Sequence, residues 1–160
     1  PFEVGTTALI EEVQEVRGGR FVLRARGRRR FRLLRMLPPR PYPYGEVELI
    51  NDAEPGPDAM VEAAVQRIHA EFPRYFRLAL SLTDQWARGM RLPARPHALV
   101  NFLAPWLQAE ELEKQRLLEF EDAAERVEML HNLLERLLDK TEMEVAEFRR
   151  KKYQGFGCGN

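Results

Sequence analysis

The first third of the chain alternates apolar and polar residues with a period of two, which is typical of half-buried β-strands. Gly18-Gly19 separates two such runs and supplies the positive φ angles of a tight hairpin turn. After the turn, Phe21 and Leu23 share one strand face, and Gly27 is expected to interrupt the strand. We therefore predict four or five antiparallel strands within residues 1–56, curled or barrel-like because no helix intervenes.

From residue 57 onward, apolar residues recur three and four positions apart, as in amphipathic helices. Pro73 either kinks the first helix or starts the next one. Asp122 and Glu125 have the spacing of a capping box, which predicts the start of a long last helix. Helices are predicted over residues 58–72, 73–89, 97–107, 109–119 and 122–152. The expected class is α+β, with a β module in 1–56, a helical bundle in 57–152 and a flexible Gly-rich tail in 153–160.

The charges of the chain cancel in total but not locally. Among its 160 residues, 25 Lys and Arg balance 25 Asp and Glu. Residues 1–50 hold ten basic and six acidic residues, whereas residues 110–160 hold nine basic and thirteen acidic ones. The neutral total removes bulk positive charge as an argument for nucleic-acid binding. No apolar run reaches the ~20 residues of a membrane-spanning helix, and the single cysteine, Cys158, suits a reducing compartment. We expect a cytoplasmic protein with no membrane partner.

Two motifs in the β part stand in a collinear order with two motifs in the helical part. The first is Val4-Gly5-Thr6, and the second is Gly-Arg-Arg-Arg-Phe-Arg-Leu at residues 27–33. A short strand at residues 46–49 follows them.

The helical part continues this order. Residues 113–119 read Glu-Lys-Gln-Arg-Leu-Leu-Glu, and Asp122 and Glu125-Arg126-Val127 follow. Taken together over residues 3–138, the pattern resembles the N-terminal substrate-binding domain of the Lon proteases, also called the ATP-dependent protease La domain.

The resemblance implies a PUA-like β-barrel followed by a helical bundle, and a role in recognising substrate polypeptide. The family's domain begins with an apolar strand ahead of its Val-Gly-Thr strand, so the barrel is expected to be incomplete in this chain. The sequence contains no Gly-x-x-x-x-Gly-Lys-[Ser/Thr] phosphate loop. We therefore expect a free-standing Lon-type domain without the ATPase and protease modules.

The remaining polar residues do not indicate catalysis. Ser81 and Thr83 fit a polar helix face better than a nucleophile site. His69, His97 and His131 lie on three separate segments and lack a ligand spacing such as His-x-x-x-His. We expect no enzyme, no catalytic residues, no cofactor and no metal.

Two groups of residues are candidate binding sites. Aromatic residues near the β-to-α junction can capture an extended peptide beside a sheet edge by strand addition, or can simply join the two halves. The six arginines of residues 24–32 can contact the phosphates of RNA or DNA, or can form a solvated face paired with the acidic helices. The peptide-binding set is Tyr42, Tyr44, Tyr75, Phe76, Phe102 and Trp106. The polyanion-binding set is Arg24, Arg26, Arg28, Arg29, Arg30 and Arg32.

The function expected first is a non-catalytic module that binds exposed or unfolded polypeptide, with a protease or a chaperone as associated partner. RNA or DNA binding through the arginine-rich strand is the alternative. A third hypothesis is a structural assembly module, in which the long last helix packs against a second copy of the chain.

Overall fold

The computed structural model describes residues 2–53, 55–86 and 89–154, apart from the side chains of Tyr153 and Gln154. It divides into two compact units, a β unit at Pro1–Ala53 and a helical unit at Glu54–Asn160. The α+β class predicted from the sequence is confirmed. The predicted tail from residue 155 onward, including Cys158, lies outside the described residues.

The β unit contains an antiparallel sheet of three strands that is not closed into a barrel, as far as its described residues extend. Gly18 and Gly19 have φ angles of 87° and 70°, which confirms the predicted hairpin turn. The prediction of four or five strands was wrong, because the strands are fewer and longer. They are β1 at Val4–Val16, β2 at Arg20–Met36 and β3 at Gly45–Leu49, in the order β1-β2-β3.

Gly27 does not interrupt β2 as predicted, because the sheet absorbs the irregularity as a β-bulge. The register between β1 and β2 shifts by one residue near this glycine. There the Thr7 hydroxyl donates to the Arg29 carbonyl and accepts from the Arg29 N–H, both at 3.1 Å. The threonine side chain therefore replaces ladder hydrogen bonds that the bulge removes, and the strand continues.

The two β motifs of the sequence are direct neighbours in this sheet. Gly5 of β1 pairs with Phe31 of β2, and a Cβ on Gly5 would lie 2.6 Å from the ring atom Cζ of Phe31. Arg30 beside it is 2% exposed, and its Nε and Nη2 donate to Asp52 Oδ1 at 2.9 and 2.5 Å. The motif residues thus form a packed contact and a buried ion pair that ties β2 to the segment after β3.

In the helical unit, Pro73 lies inside one continuous helix rather than between two. That helix ends at Ser81, so the predicted extension towards residue 89 was wrong. None of the helices in the described ranges is long and apolar enough to cross a membrane. The helices are α1 at Ala59–Ser81, α2 at Pro96–Leu103, α3 at Glu111–Glu119 and α4 at Ala123–Gln154, with a 3-10 turn at Ala104–Trp106.

Aspartate caps begin the two long helices, as their sequence positions predict. Asp58 accepts hydrogen bonds from the backbone N–H groups of Met60 and Val61 at 2.8 and 3.4 Å. Asp122 caps α4 in the same way, with N–H donors at 2.9 and 3.0 Å. These caps fix where α1 and α4 start, and the two helices then pack along each other through apolar faces. The main buried contributors are Ile68, Phe72, Tyr75, Leu99, Leu103, Leu117, Val127, Leu130, Leu134 and Leu137.

Arg126, the arginine of the second helical motif, is 1% exposed in the helical core. Its guanidinium donates to the Leu117 carbonyl at 2.9 Å and to Asn101 Oδ1 at 2.6 Å. It also lies 2.8 Å from His97 Nδ1. One side chain of α4 therefore connects α2 and α3. Packing and hydrogen bonding account for an arginine at this position.

We expect Gly5→Ala to lower the free energy of unfolding by about 1–3 kcal/mol, because the added methyl group meets the ring of Phe31. Urea denaturation followed by circular dichroism measures the loss. Gly56→Ala is the matched control, since nothing lies within 4 Å of its Cβ position and its φ is not positive. In a Phe31→Ala background, Gly5→Ala should cost much less, and an equal cost in both backgrounds would contradict the contact.

Candidate functional site

A chain of aromatic rings leads from the helical core to the surface at the end of α1. Phe76 stacks on the buried Phe72 with 5.7 Å between ring centroids. Phe76 also meets Trp106 edge to face, with centroids 5.5 Å apart and an interplanar angle of 81°. Trp106 is 48% exposed. The core thereby fixes the position of an indole ring that remains open to a ligand.

Phe76 and Trp106 line an open groove of about 550 Å³, which we call the aromatic groove. Trp86 is its most accessible apolar member, with 87% of its surface exposed. Exposed apolar surface of this kind marks an interaction site more often than a single exposed leucine does. The lining residues are Phe76, Leu80, Asp84, Gln85, Trp86, Met90 and Trp106.

The turn after α1 brings residues 84–86 to this groove. Asp84 is in the left-handed region with φ 53°, and the Gln85 N–H donates to the Leu80 carbonyl at 3.0 Å. Glycine adopts this helix-ending conformation at lower cost than aspartate. The aspartate therefore places a carboxylate at the groove at some expense in backbone strain, as functional positions often do.

Tyr75 supports the groove from inside the core. Its ring is fully buried, and its hydroxyl accepts a hydrogen bond from the Gln108 N–H at 2.7 Å. Burial raises the pKa of the Tyr75 hydroxyl above its ordinary value of 10.0. This bond holds the segment that directly follows Trp106, so Tyr75 positions the indole without lining the groove.

The structure brings together only two of the four aromatic residues predicted in the helical unit. Phe76 and Trp106 share the groove, whereas Tyr75 is buried and Phe102 is absent from its lining. Sequence reasoning missed Trp86, because the helix was expected to continue past this position. The sequence did contain a signal, because the chain has two tryptophans and neither was compared with the other. Both of them line this groove.

Tyr42 and Tyr44, the other predicted peptide-binding residues, belong to the β unit. Tyr42 is 64% exposed in the Pro-rich segment before β3. Tyr44 is half-buried, and the Arg40 guanidinium lies 4.9 Å from its ring centroid. One of the two rings is therefore already occupied by a cation from its own loop.

Three of the six arginines of the predicted polyanion set are paired with carboxylates of the β unit itself. Arg24 contacts Glu12 at 3.3 Å, and Arg26 contacts Glu11 at 2.9 Å. Arg30 is buried against Asp52 as described above. The counter-charges expected from the acidic helices thus come, for these three arginines, from the β unit itself.

The other three arginines of that strand differ in exposure. Arg32 is half-buried, whereas Arg28 and Arg29 are exposed. The side chains of Arg28 and Arg29 form no ion pair with any residue that the structure describes. Positive charge available to a ligand on this strand is therefore concentrated at the bulge beside Gly27.

The hydroxyl groups predicted to lie on a polar helix face are satisfied by the helix itself. Ser81 Oγ donates to the Leu78 carbonyl at 2.7 Å, and Thr83 Oγ1 donates to the Leu80 carbonyl at 3.0 Å. This arrangement is structural, because each hydroxyl proton is engaged by a backbone carbonyl within its own turn.

The three histidines have different surroundings. His69 Nε2 lies 2.9 Å from the Pro93 carbonyl, and His97 contacts Arg126. His131 is nearly buried and lies between two carboxylates, with its Nε2 3.6 Å from Glu71 Oε2 and 3.8 Å from Glu135 Oε1. His131 and Glu135 are one turn apart on α4, in a His-x-x-x-Glu spacing. Sequence reasoning missed this pair, because only a His-x-x-x-His spacing was considered.

Comparisons with known proteins agree on one family. The family model described as "ATP-dependent protease La (LON) substrate-binding domain" matches residues 2–136. A Lon protease of Cytophaga hutchinsonii is 25% identical over 143 residues, which is 89% of this chain and 18% of that protein. A Lon protease of Syntrophomonas wolfei is 28% identical over 151 residues, 94% of this chain and 18% of that protein. The chain therefore spans less than a fifth of the length of these relatives.

A solved structure supports the same assignment. It is the crystal structure of a Lon N-terminal domain protein from Xanthomonas campestris, with a TM-score of 0.56 and 25% sequence identity. The match covers 81% of this chain and 67% of that one. The similarity therefore extends over most of the fold.

We expect Tyr75→Phe to lower the free energy of unfolding by about 1 kcal/mol at pH 7, because the Gln108 N–H loses its acceptor. The raised pKa of Tyr75 also predicts how the stability of the fold changes with pH. Tyr75 loses its proton at a lower pH in the unfolded chain than in the folded chain. Its contribution to the free energy of unfolding is therefore complete below about pH 10 and declines as the pH rises towards the pKa of the folded state. Urea denaturation from pH 7 to 11 should show wild type losing stability relative to Tyr75→Phe above pH 10. A constant difference between the two proteins would contradict the assignment.

Proposed function

This chain belongs to the family of ATP-dependent protease La (LON) substrate-binding domains, and on that premise we propose that it binds exposed or unfolded polypeptide through the aromatic groove and catalyses no reaction itself. The observation that carries the proposal is the pair of exposed indoles, Trp86 and Trp106, in one groove anchored by Phe76. A protease or a chaperone is the partner to which such a module would deliver its ligand.

The energetics of the groove fit a weak and broadly selective binder. An indole buries roughly 150–250 Å² when covered, and apolar burial contributes about 25 cal/mol per Å². Two fully covered indoles would then contribute about 7–13 kcal/mol, which is comparable to the association cost of about 4–15 kcal/mol. Further apolar and backbone contacts of the peptide are therefore needed for the expected micromolar affinity, which corresponds to about 8 kcal/mol. Affinity of this order suits a domain that must also release its ligand.

The polar residues of the groove favour some peptides over others. Asp84 and Gln85 lie among the apolar lining residues. A carboxylate at this position attracts basic side chains that flank an apolar segment and repels acidic ones. The amide of Gln85 can exchange hydrogen bonds with an extended peptide backbone. The preferred ligand is therefore an apolar segment flanked by Lys or Arg.

We expect a permanently unfolded, alkylated protein to bind with micromolar Kd, and its native form to bind much more weakly. Because both tryptophans of the chain line the groove, intrinsic fluorescence reports directly on its occupancy. Binding should shift the emission to shorter wavelength, as water leaves the indoles. Equal binding of the native and the unfolded protein would contradict recognition of exposed polypeptide.

Trp86→Ala and Trp106→Ala should each weaken this binding about tenfold or more, because indoles at interfaces are common hot spots. Titration calorimetry is the suitable measurement, since each variant lacks one of the two tryptophans that give the fluorescence signal. Phe148→Ala is the matched control, as Phe148 is a 39% exposed aromatic residue of α4 outside the groove lining. Phe102→Ala should behave like the control. Unchanged affinity in both tryptophan variants would show that the polypeptide binds outside the aromatic groove.

The same assay separates this proposal from polyanion binding by the arginine-rich strand. Peptide affinity should fall by no more than about threefold between 50 and 500 mM salt, since apolar contacts release few counterions and Asp84 is the one charged residue among the described lining residues of the groove. The double substitution Arg28→Ala and Arg29→Ala removes the exposed arginines of the bulge and should leave peptide binding unchanged. Tight binding of single-stranded RNA that falls steeply with salt and disappears in this variant would favour the alternative.

A further inference from the structure

We propose that Glu71, His131 and Glu135 form a binding site for a divalent transition-metal ion, with Zn²⁺ as the best-fitting ion. One possible ligand atom from each residue lies within 4.8 Å of the other two. Glu71 comes from α1, and His131 and Glu135 come from α4. A bound ion would therefore join the two long helices of this unit.

The polar atoms at the centre of this cluster are buried and lack hydrogen bonds. His131 is 6% exposed, and its Nε2 has no hydrogen-bond partner in the described part of the chain. The same holds for Glu71 Oε2, which lies 3.6 Å from that nitrogen. This distance is within ion-pair range for a protonated imidazole but is too long for a hydrogen bond. A buried donor or acceptor without a partner destabilises the fold, so the arrangement indicates a ligand that contacts both atoms.

The geometry suits a small cation better than direct contact among the three side chains. Zinc binds imidazole nitrogen and carboxylate oxygen at about 2.0–2.2 Å, which in a tetrahedral site places neighbouring ligand atoms roughly 3.3–3.5 Å apart. The nitrogen of His131 is 3.6 Å from the Glu71 oxygen and 3.8 Å from the Glu135 oxygen. The two carboxylate oxygens lie within 4.8 Å of each other, so the glutamate side chains must move by about 1 Å to reach tetrahedral spacing. Water can supply the fourth ligand, as in other three-residue zinc sites.

The chemistry of the ligands selects the class of metal. One imidazole with two carboxylates suits zinc and its neighbours in the transition series, whereas magnesium and calcium prefer oxygen ligands alone. Two carboxylates close together also repel each other when ionised, and a divalent ion removes that repulsion. The ligand set therefore favours Zn²⁺ over the alkaline-earth ions.

A cavity of about 320 Å³ lies against two of the three residues of the cluster. His131 and Glu135 line it, and Asp58 and Glu128 add further carboxylates. Arg67 is the one basic residue among its lining residues. The negative charges outnumber the positive ones, so the cavity attracts a cation towards His131.

The test is a zinc titration of the chelator-treated chain by calorimetry, together with thermal unfolding. A Cys158→Ser background removes the single thiol of the sequence as a competing ligand. We expect one Zn²⁺ per chain and a rise in Tm of about 5 °C or more at a zinc concentration 100 times the Kd. Co²⁺ should give visible absorption bands of a four-coordinate site, and Mg²⁺ should produce neither signal.

Variants locate the site. His131→Gln and Glu71→Gln should each weaken zinc binding about tenfold or more. Glu135→Gln should also weaken it, and because Glu135 is exposed this substitution leaves the core intact. Glu128→Gln is the matched control, because Glu128 lines the same cavity outside the triad. Circular dichroism confirms that each variant folds.

Absence of zinc binding, or equal binding by Glu135→Gln and wild type, would overturn the proposal. Trp106→Ala should bind zinc normally, so this result is independent of peptide binding.

Discussion

The packing of α1 against α4 is the constraint on which the helical unit depends. Phe72 and Tyr75 point from α1 into the leucine-rich core, and Phe76 lies one turn from Phe72 on the same helix. Because Phe72 is fixed by the core, the ring that stacks on it is fixed as well, and so is the indole of Trp106 beyond it. The side of the aromatic groove formed by Phe76 and Trp106 is therefore anchored to the core. Anchored rings of this kind would lose little side-chain entropy if they bound a ligand as proposed.

The β unit is organised by different forces, since few of its apolar residues are buried. The Gly5–Phe31 contact, the buried Arg30–Asp52 pair and the Thr7 hydroxyl at the bulge define its sheet locally. Several large apolar residues of its first two strands remain exposed, among them Phe21, Leu9 and Val13. Burial alone therefore cannot specify the register of this sheet, and the turn glycines and the bulge contacts must do so.

The sequence predicted most of what depends on local periodicity and capping. The α+β class, the Gly18-Gly19 turn and the starts of α1 and α4 follow from signals within a few residues. The errors occurred where tertiary contacts override local rules. Gly27 is bridged by a bulge, and α1 ends at Ser81, ahead of the left-handed Asp84. Pro73 was left open between a position inside a helix and a helix start, and it lies inside α1. Trp86 was missed because a helix was expected to continue past it, and the His131 cluster was missed because Glu71 lies on a separate helix.

The residues that carry the family resemblance and the residues proposed to bind ligand are different sets. Gly5, Arg30 and Arg126 belong to the motifs, and the structure engages each in packing or in buried hydrogen bonds. Trp86 and Trp106 belong to no motif, and they are exposed. Relatives that are 25–28% identical can therefore share this scaffold while differing in the groove. Under the proposed function, the choice among polypeptides would depend on these groove residues rather than on the residues of the family motifs.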